Sequence, residues 1–223
     1  MRHNASEPPE RRGISALLGA GLEALGLGRD AVRERMLLDY LELLSRWNRI
    51  YNLTAISERD AMVTRHLLDS LAVVPHLRGD SFADVGSGAG LPGIPLAIWL
   101  AERRFVLVDS SGRKVRFLRQ AQIELRLRNV EVVESRIQDW RPAQGFDGVL
   151  SRAFASLPEF IAMAGHLPTP EGALYALKGR WPEPGAEPPG AAHMIAAVHA
   201  LNIPGLAAPR HLVEIAPRGG QHP

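Results

Sequence analysis

At 223 residues, with 46% hydrophobic and 22% charged side chains, the chain is long enough for one sizeable domain with a real apolar core. It contains no cysteine, which excludes a disulfide framework, a thiolate zinc site and any cysteine nucleophile. The net charge is only +2, yet 24 of the 26 Lys and Arg side chains are arginine; the planar guanidinium suits phosphate, although a GC-rich coding sequence leaves the same mark.

Residues 1–12 are polar, rich in proline and charge, and carry no signal-peptide pattern, so a disordered tail is expected. Ile14–Leu27 reads as helical. Asp30 can cap a second helix running to about Arg49, with Val32, Met36, Leu37, Tyr40, Leu41, Leu44 and Trp47 on one apolar stripe. A third helix is expected from Arg59 to about Val74, stopped by Pro75. Together these predict a helical N-terminal extension over residues 13–78.

After Gly79 the pattern changes. Ser81–Val85, Phe105–Val108, Val130–Val133, Phe146–Leu150, Ala173–Leu177 and His211–Ile215 are strand candidates. Helices are expected over Pro92–Ala101, over Gly112–Arg126 with Val115, Leu118, Ile123 and Leu125 inward, and near Leu157–Leu167. Alternating strands and helices predict a doubly wound α/β sheet over residues 79–223. Trp181–Ala192 is rich in proline and glycine and reads as a loop. The longest apolar runs, such as Ile94–Ala101, are too short to cross a bilayer, so no membrane association and a cytoplasmic location are expected.

The segment Asp84-Val85-Gly86-Ser87-Gly88-Ala89-Gly90-Leu91-Pro92-Gly93 stands where a strand must turn sharply into a helix. Glycines there let the backbone approach a ligand with no Cβ in the way, and Pro92 and Pro95 suit a helix start. Two nucleotide ligands compete for such a loop. Gly88, Gly90 and Gly93 satisfy a dinucleotide spacing, a weak signal alone; Asp84 followed by Gly86, Gly88 and Gly90 suits S-adenosylmethionine, with Asp84 reaching its amino group through water. Asp109 ends the second strand, where a carboxylate can accept ribose hydroxyls of either cofactor.

Several stretches in order carry a wider resemblance: Trp47–Thr54, Arg65–Ser70, Asp84–Pro95, Val108–Ser110, Arg113–Gln120, Ser151–Ser156, Tyr175–Gly179 and Arg210–Val213. They resemble the ribosomal RNA small-subunit methyltransferase G family, also called glucose-inhibited division protein B. The resemblance implies a Rossmann-like, class I methyltransferase fold and S-adenosylmethionine as cofactor. It also implies methyl transfer to N7 of a guanine of 16S ribosomal RNA, met as RNA or as a small-subunit assembly intermediate. By the same resemblance Gly86 and Leu91 line the cofactor, Ile137 and Gln138 flank its adenine, and Arg152 closes the site. The family usually carries Glu where this chain has Gln138, a departure at the adenine.

The residues themselves limit the chemistry. Guanine N7 has an in-plane lone pair and no proton, so a chain without an acid–base dyad suffices. Methylation at pyrimidine C5 commonly uses a cysteine, absent here. Exocyclic-amine methylation often uses an Asn/Asp-Pro-Pro-aromatic tetrapeptide, and the fourth strand leads instead into Ser151-Arg152-Ala153-Phe154. Arg152 is a candidate for a cofactor carboxylate or an RNA phosphate, against a surface ion pair. Phe154 is a candidate to stack on the target base, against a core role, and Lys178 to meet a phosphate, against a solvated strand end. Arg113, Lys114, Arg116 and Arg119 offer RNA phosphate contacts or simply a solvated helix face. His66 and Asp69, three apart on a helix, are expected to make an interface contact rather than a catalytic pair. No metal cluster stands out. The alternative readings are a methyltransferase for another RNA or a small molecule, and a noncatalytic RNA-binding assembly protein.

Overall fold

The computed structural model describes residues 9–154, 156–182 and 192–218. Helix α1 (Pro9–Ala24) begins inside the stretch expected as a tail, and residues 1–8 lie outside the described residues. Helix α2 (Ala31–Tyr51) starts as its sequence predicts: Asp30, in extended backbone, accepts hydrogen bonds from the Val32 and Arg33 amides. It stops where Asn52 turns left-handed at φ 48° and donates its N–H to the Asn48 carbonyl. Leu37, Leu38, Tyr40, Leu41, Leu43 and Leu44 form its buried face. Val32, assigned to that face from sequence, is 70% exposed; at about 100° per residue it lies across the helix from Leu37 and Leu41.

The third predicted helix is not uniform. Helix α3 (Arg59–Met62) runs into a π-helical turn (Val63–Leu68) and then α4 (Asp69–Leu71), and Pro75 sits in a 3₁₀ turn (Val74–His76). A π turn inserts a residue into the helical register and is often found at functional sites.

The sheet has seven strands: β1 (Ser81–Val85), β2 (Arg104–Asp109), β3 (Val130–Glu134), β4 (Phe146–Ser151), β5 (Pro168–Lys178), β6 (His193–Leu201) and β7 (Arg210–Pro217). Their order is β3-β2-β1-β4-β5-β7-β6, with β7 antiparallel to both neighbours and the first five strands parallel. Helices α5 (Gly93–Trp99), α6 (Gly112–Glu124) and α7 (Leu157–Ala164) make the crossovers. Side chains alternate across the pleat. Phe82, Phe105 and Leu107 enter a core shared with α1, α2, α5 and α6, whereas Ala83, Val106 and Val108 enter a second core beneath α7.

Two sequence expectations fail here. Ile123, expected inward on α6, is 70% exposed, because the helical turn carries it away from the buried stripe of Val115, Phe117, Leu118 and Ala121. Strand β6 has no counterpart among the predicted elements. It is an edge strand with apolar residues on both faces: Met194 and Val198 face outward, while Ile195 packs against the core beneath α7 on the same half-buried side as His193 and His199, so no apolar–polar alternation is visible. In the expected loop Trp181–Ala192, residues 183–191 lie outside the described residues.

Candidate active site

The crossovers bring the C-terminal ends of β1, β2 and β4 together at the point where strand order reverses, the usual ligand crevice of such sheets. The loop after β1 is held from inside. The amides of Gly86 and Ser87 donate to the Val108 carbonyl at 2.9 and 3.1 Å, tying the loop to β2. Gly86 adopts φ +69°, and a Cβ there would sit 2.9 Å from the Ala153 Cβ in the loop after β4. Only glycine combines that backbone with that close approach.

Asp84 is fully buried, and its Oδ2 accepts from Ser87 Oγ at 2.6 Å and from the Gly93 amide at 3.0 Å. That carboxylate oxygen therefore pins the two ends of the glycine loop. Oδ1, in contrast, is buried without a hydrogen-bond partner among the described residues. Burial pushes the Asp84 carboxyl up to about 6, against the hydrogen bonds from Ser87 and Gly93 and the charge of Arg152.

Asp109, at the end of β2, accepts from the Gly88 amide at 2.9 Å and the Ser111 amide at 2.9 Å, and Lys114 Nζ lies 3.5 Å away. Beside it opens a cavity of about 430 Å³, bordered among others by Gly86, Asp109, Lys114, Ile137, Gln138 and Phe154. Such a volume accommodates a nucleoside. Ile137 and Gln138 lie in a 3₁₀ turn after β3 (Ile137–Asp139), which brings them to the cavity opposite the glycine loop. Leu91 is half-buried, packed against the core behind the loop.

Arg152 leaves β4 toward the helical extension. Its Nη2 lies 3.1 Å from Asp69 Oδ2, and the other Asp69 oxygen lies 3.1 Å from Arg210 Nε at the start of β7. Arg152 Nη1 is buried without a partner among the described residues. His66 and Asp69 take different partners. His66 Nε2 is hydrogen-bonded to Thr54 Oγ1 at 3.0 Å, its Nδ1 is unpartnered, and burial plus the Arg152 charge lower its pKa to about 4. Each unpaired buried polar group costs roughly 1–3 kcal/mol in a folded chain.

Lys178 is 6% exposed, which overturns its reading as a solvated strand end; its Nζ donates to the Phe154 carbonyl at 2.9 Å. The Phe154 ring stacks on Phe160 at 5.1 Å between centroids while bordering the cavity, so it serves the core beneath α7 and the site wall together. Among the basic residues of α6, Arg113, Arg116 and Arg119 are exposed, whereas Lys114 turns back to Asp109. Among the described residues no group of three or more His, Cys, Asp or Glu is placed to hold a metal ion.

The family model described as rRNA small subunit methyltransferase G (GidB) matches residues 33–213. The chain belongs to this family. The protein of Pseudomonas paraeruginosa named ribosomal RNA small subunit methyltransferase G is 46% identical over 213 residues, 95% of each chain. The protein of the same name from Shewanella amazonensis is 48% identical over 203 residues, 91% of this chain and 98% of its own. In fold, the chain is similar to a solved SAM-dependent methyltransferase from Aquifex aeolicus, with a TM-score of 0.53 at 15% identity over 77% of this chain and 97% of the other.

Within this methyltransferase G chain, sequence reasoning missed several residues of the site. Tyr40, placed in an apolar stripe, instead donates its buried hydroxyl to the Ala89 carbonyl at 2.6 Å, so α2 props the glycine loop from below. Burial holds the Tyr40 phenol far above its ordinary range. Its stripe position gave no sign of this, since helical spacing reports the face but not what the hydroxyl meets. Ser87 was legible in principle, as a hydroxyl three residues after a buried carboxylate at a turn. Ser110, Ser135 and Met163 also border the cavity, and only the fold brings them there.

Proposed function

We propose that this chain transfers a methyl group from S-adenosylmethionine to N7 of a guanine in 16S ribosomal RNA, presented as RNA or in a small-subunit assembly intermediate in the cytoplasm. The observation that carries the reading is its membership of the methyltransferase G family across nearly its whole length. The site supports the same cofactor. Asp84 Oδ1 and Arg152 Nη1 are an unpartnered acceptor and an unpartnered donor, both buried, and so are suited to an ammonium and a carboxylate respectively. Gly86 leaves the backbone open beside them, and Asp109, Ile137 and Gln138 border a nucleoside-sized cavity. In this reading Gly86, Gly88, Gly90 and Leu91 form the loop beneath the methionine part, Asp109 takes the ribose, and Ile137 and Gln138 flank the adenine.

Bound S-adenosylmethionine supplies a sulfonium methyl group whose bonding electrons stay on sulfur when the methyl departs. Guanine N7 brings its own lone pair and loses no proton, so no general base is asked of the chain. That agrees with His66, neutral at physiological pH and hydrogen-bonded to Thr54, and with Asp84, bound to its own loop. What the chain contributes is alignment of nitrogen, methyl and sulfur, an effect that reaches ~7–11 kcal/mol in favourable cases. Arg152, Phe154 and Lys178 serve that alignment, Lys178 by bracing the backbone that carries Phe154. The exposed Arg113, Arg116 and Arg119, joined at the cavity end by Lys114, offer the RNA backbone a row of cations.

The test is N7 methylation of 16S ribosomal RNA, read by mass spectrometry in a strain lacking the gene and in the same strain complemented with it. Loss of a single N7-methylguanine and its return on complementation are expected; an unchanged methylation pattern removes the substrate assignment.

A further inference from the structure

Asp69 is 3% exposed, and both of its carboxylate oxygens are committed, one to Arg152 and one to Arg210. These three residues come from separate parts of the fold: α4, the residue that follows β4 and the first residue of β7. Apolar side chains in place of all three residues would pack there without desolvating charge, and buried ion pairs are poor stabilisers compared with such packing. The arrangement is better explained by what it does to Arg152. With Nη2 taken by Asp69, the planar guanidinium is fixed, and the unpartnered Nη1 is presented in one direction. Arg210 holds the carboxylate from the far side, so the pair cannot swing as a unit.

The π turn explains how the helix delivers this carboxylate. Val63–Leu68 immediately precedes Asp69, and the same short stretch buries His66 and Ser70, each with one unpartnered polar atom. With a residue inserted, His66, Asp69 and Ser70 are all buried, while Arg65 stays exposed. The Arg152 charge is close enough to lower the His66 pKa and to stabilise the Asp84 carboxylate. These groups therefore share one electrostatic neighbourhood at the foot of the glycine loop.

We propose that Asp69 is a positioning residue of the methyl-transfer site: clamped between Arg210 and Arg152, it sets the direction in which Arg152 presents Nη1 to the carboxylate of the bound cofactor. This rests on the cofactor reading above. It adds that the helical extension takes part in cofactor binding through a residue that does not itself touch the cofactor.

A double-mutant cycle in the full chain tests it, with S-adenosylhomocysteine as the probe and affinity read by titration calorimetry. Asp69→Asn, which keeps the shape and removes the charge, and Arg152→Gln are each expected to weaken binding about 10- to 100-fold. The double variant is expected to bind no more than about threefold worse than the poorer single, because both changes remove one interaction. A merely structural Asp69 would give losses that multiply, and that result overturns the proposal, as does wild-type-like affinity in Asp69→Asn. Arg210→Gln leaves Asp69 and Arg152 in place and covers the case in which Asp69→Asn does not fold. It is expected to weaken binding about threefold or more in the wild-type background and not at all beside Arg152→Gln; equal loss in both backgrounds overturns the proposal. If the wild-type chain does not bind S-adenosylhomocysteine, the cofactor reading itself fails, a distinguishable outcome.

Discussion

Asp84 illustrates how one side chain can be legible in sequence and still carry a second duty that the sequence does not show. Its place before the glycines marked it as a candidate for a ligand loop, with the ligand's amino group as the expected partner. In the fold, one oxygen closes the loop through Ser87 and Gly93, and the second oxygen is left without a hydrogen-bond partner among the described residues. The energetic consequence has a definite sign. Its carboxyl titrates at about 6 in the fold against an ordinary value of 3.8, so the folded state favours the protonated form. The stability this contributes is fully present below about pH 4 and is lost as pH rises through 6. In urea denaturation without cofactor, wild type should therefore lose stability relative to Asp84→Asn between pH 4 and 7. A difference between the two that stays flat or grows over that window would contradict the burial argument. Gly86 and Asp109 were legible because their chemistry follows from where they stand in a strand–loop–helix unit. Tyr40 was not, since its role depends on a carbonyl 49 residues away.

Elements were readable wherever their spacing matched a simple period. Helix α2 announced itself through the Asp30 cap and its leucines, and the parallel strands through short β-branched and aromatic runs. Strand β6 did not, because at a sheet edge it carries apolar residues on both faces and histidines on the half-buried one, which erases the alternation on which such readings depend. The π turn was equally hidden: an extra residue in one helical turn leaves no compositional trace, yet it decides where Asp69 points. Helix α6 shows the complementary case, in which the buried side is settled and the exposed one is open to use. Arg113, Arg116 and Arg119 recur at spacings of three and remain exposed, without an ion-pair partner among the described residues. Replacing Arg113 and Arg116 together by Ala should weaken RNA binding and flatten the dependence of log affinity on log salt by about 1–2 units. The same slope in both proteins would show that this helix does not meet the phosphates.

Across the whole molecule, the α/β order was evident from the alternation of element types, whereas the union of the helical extension with the sheet was not. Ile14, Leu18, Leu37 and Leu44 share one continuous apolar core with Phe82, Phe105 and Leu212. Polar bonds reinforce this at the site itself, through Tyr40 to Ala89 and through Asp69 to Arg152. Tyr40→Phe tests the first of these across the molecule. It deletes one hydroxyl and orphans a buried carbonyl, so it should cost about 1–3 kcal/mol in chemical denaturation and also weaken cofactor affinity. A stability loss with unaltered affinity would separate the extension's structural duty from the glycine loop.

The hydroxyl of Tyr40 has a consequence for inheritance as well. A chain shortened to begin near residue 79 would keep every strand and every glycine of the loop, yet that loop would have lost its strut. Exchange of the N-terminal helices between relatives is thus an exchange of part of what holds the glycine loop in place. Substitutions on α2 and in the glycine loop should accumulate in step, with neither segment free to drift alone.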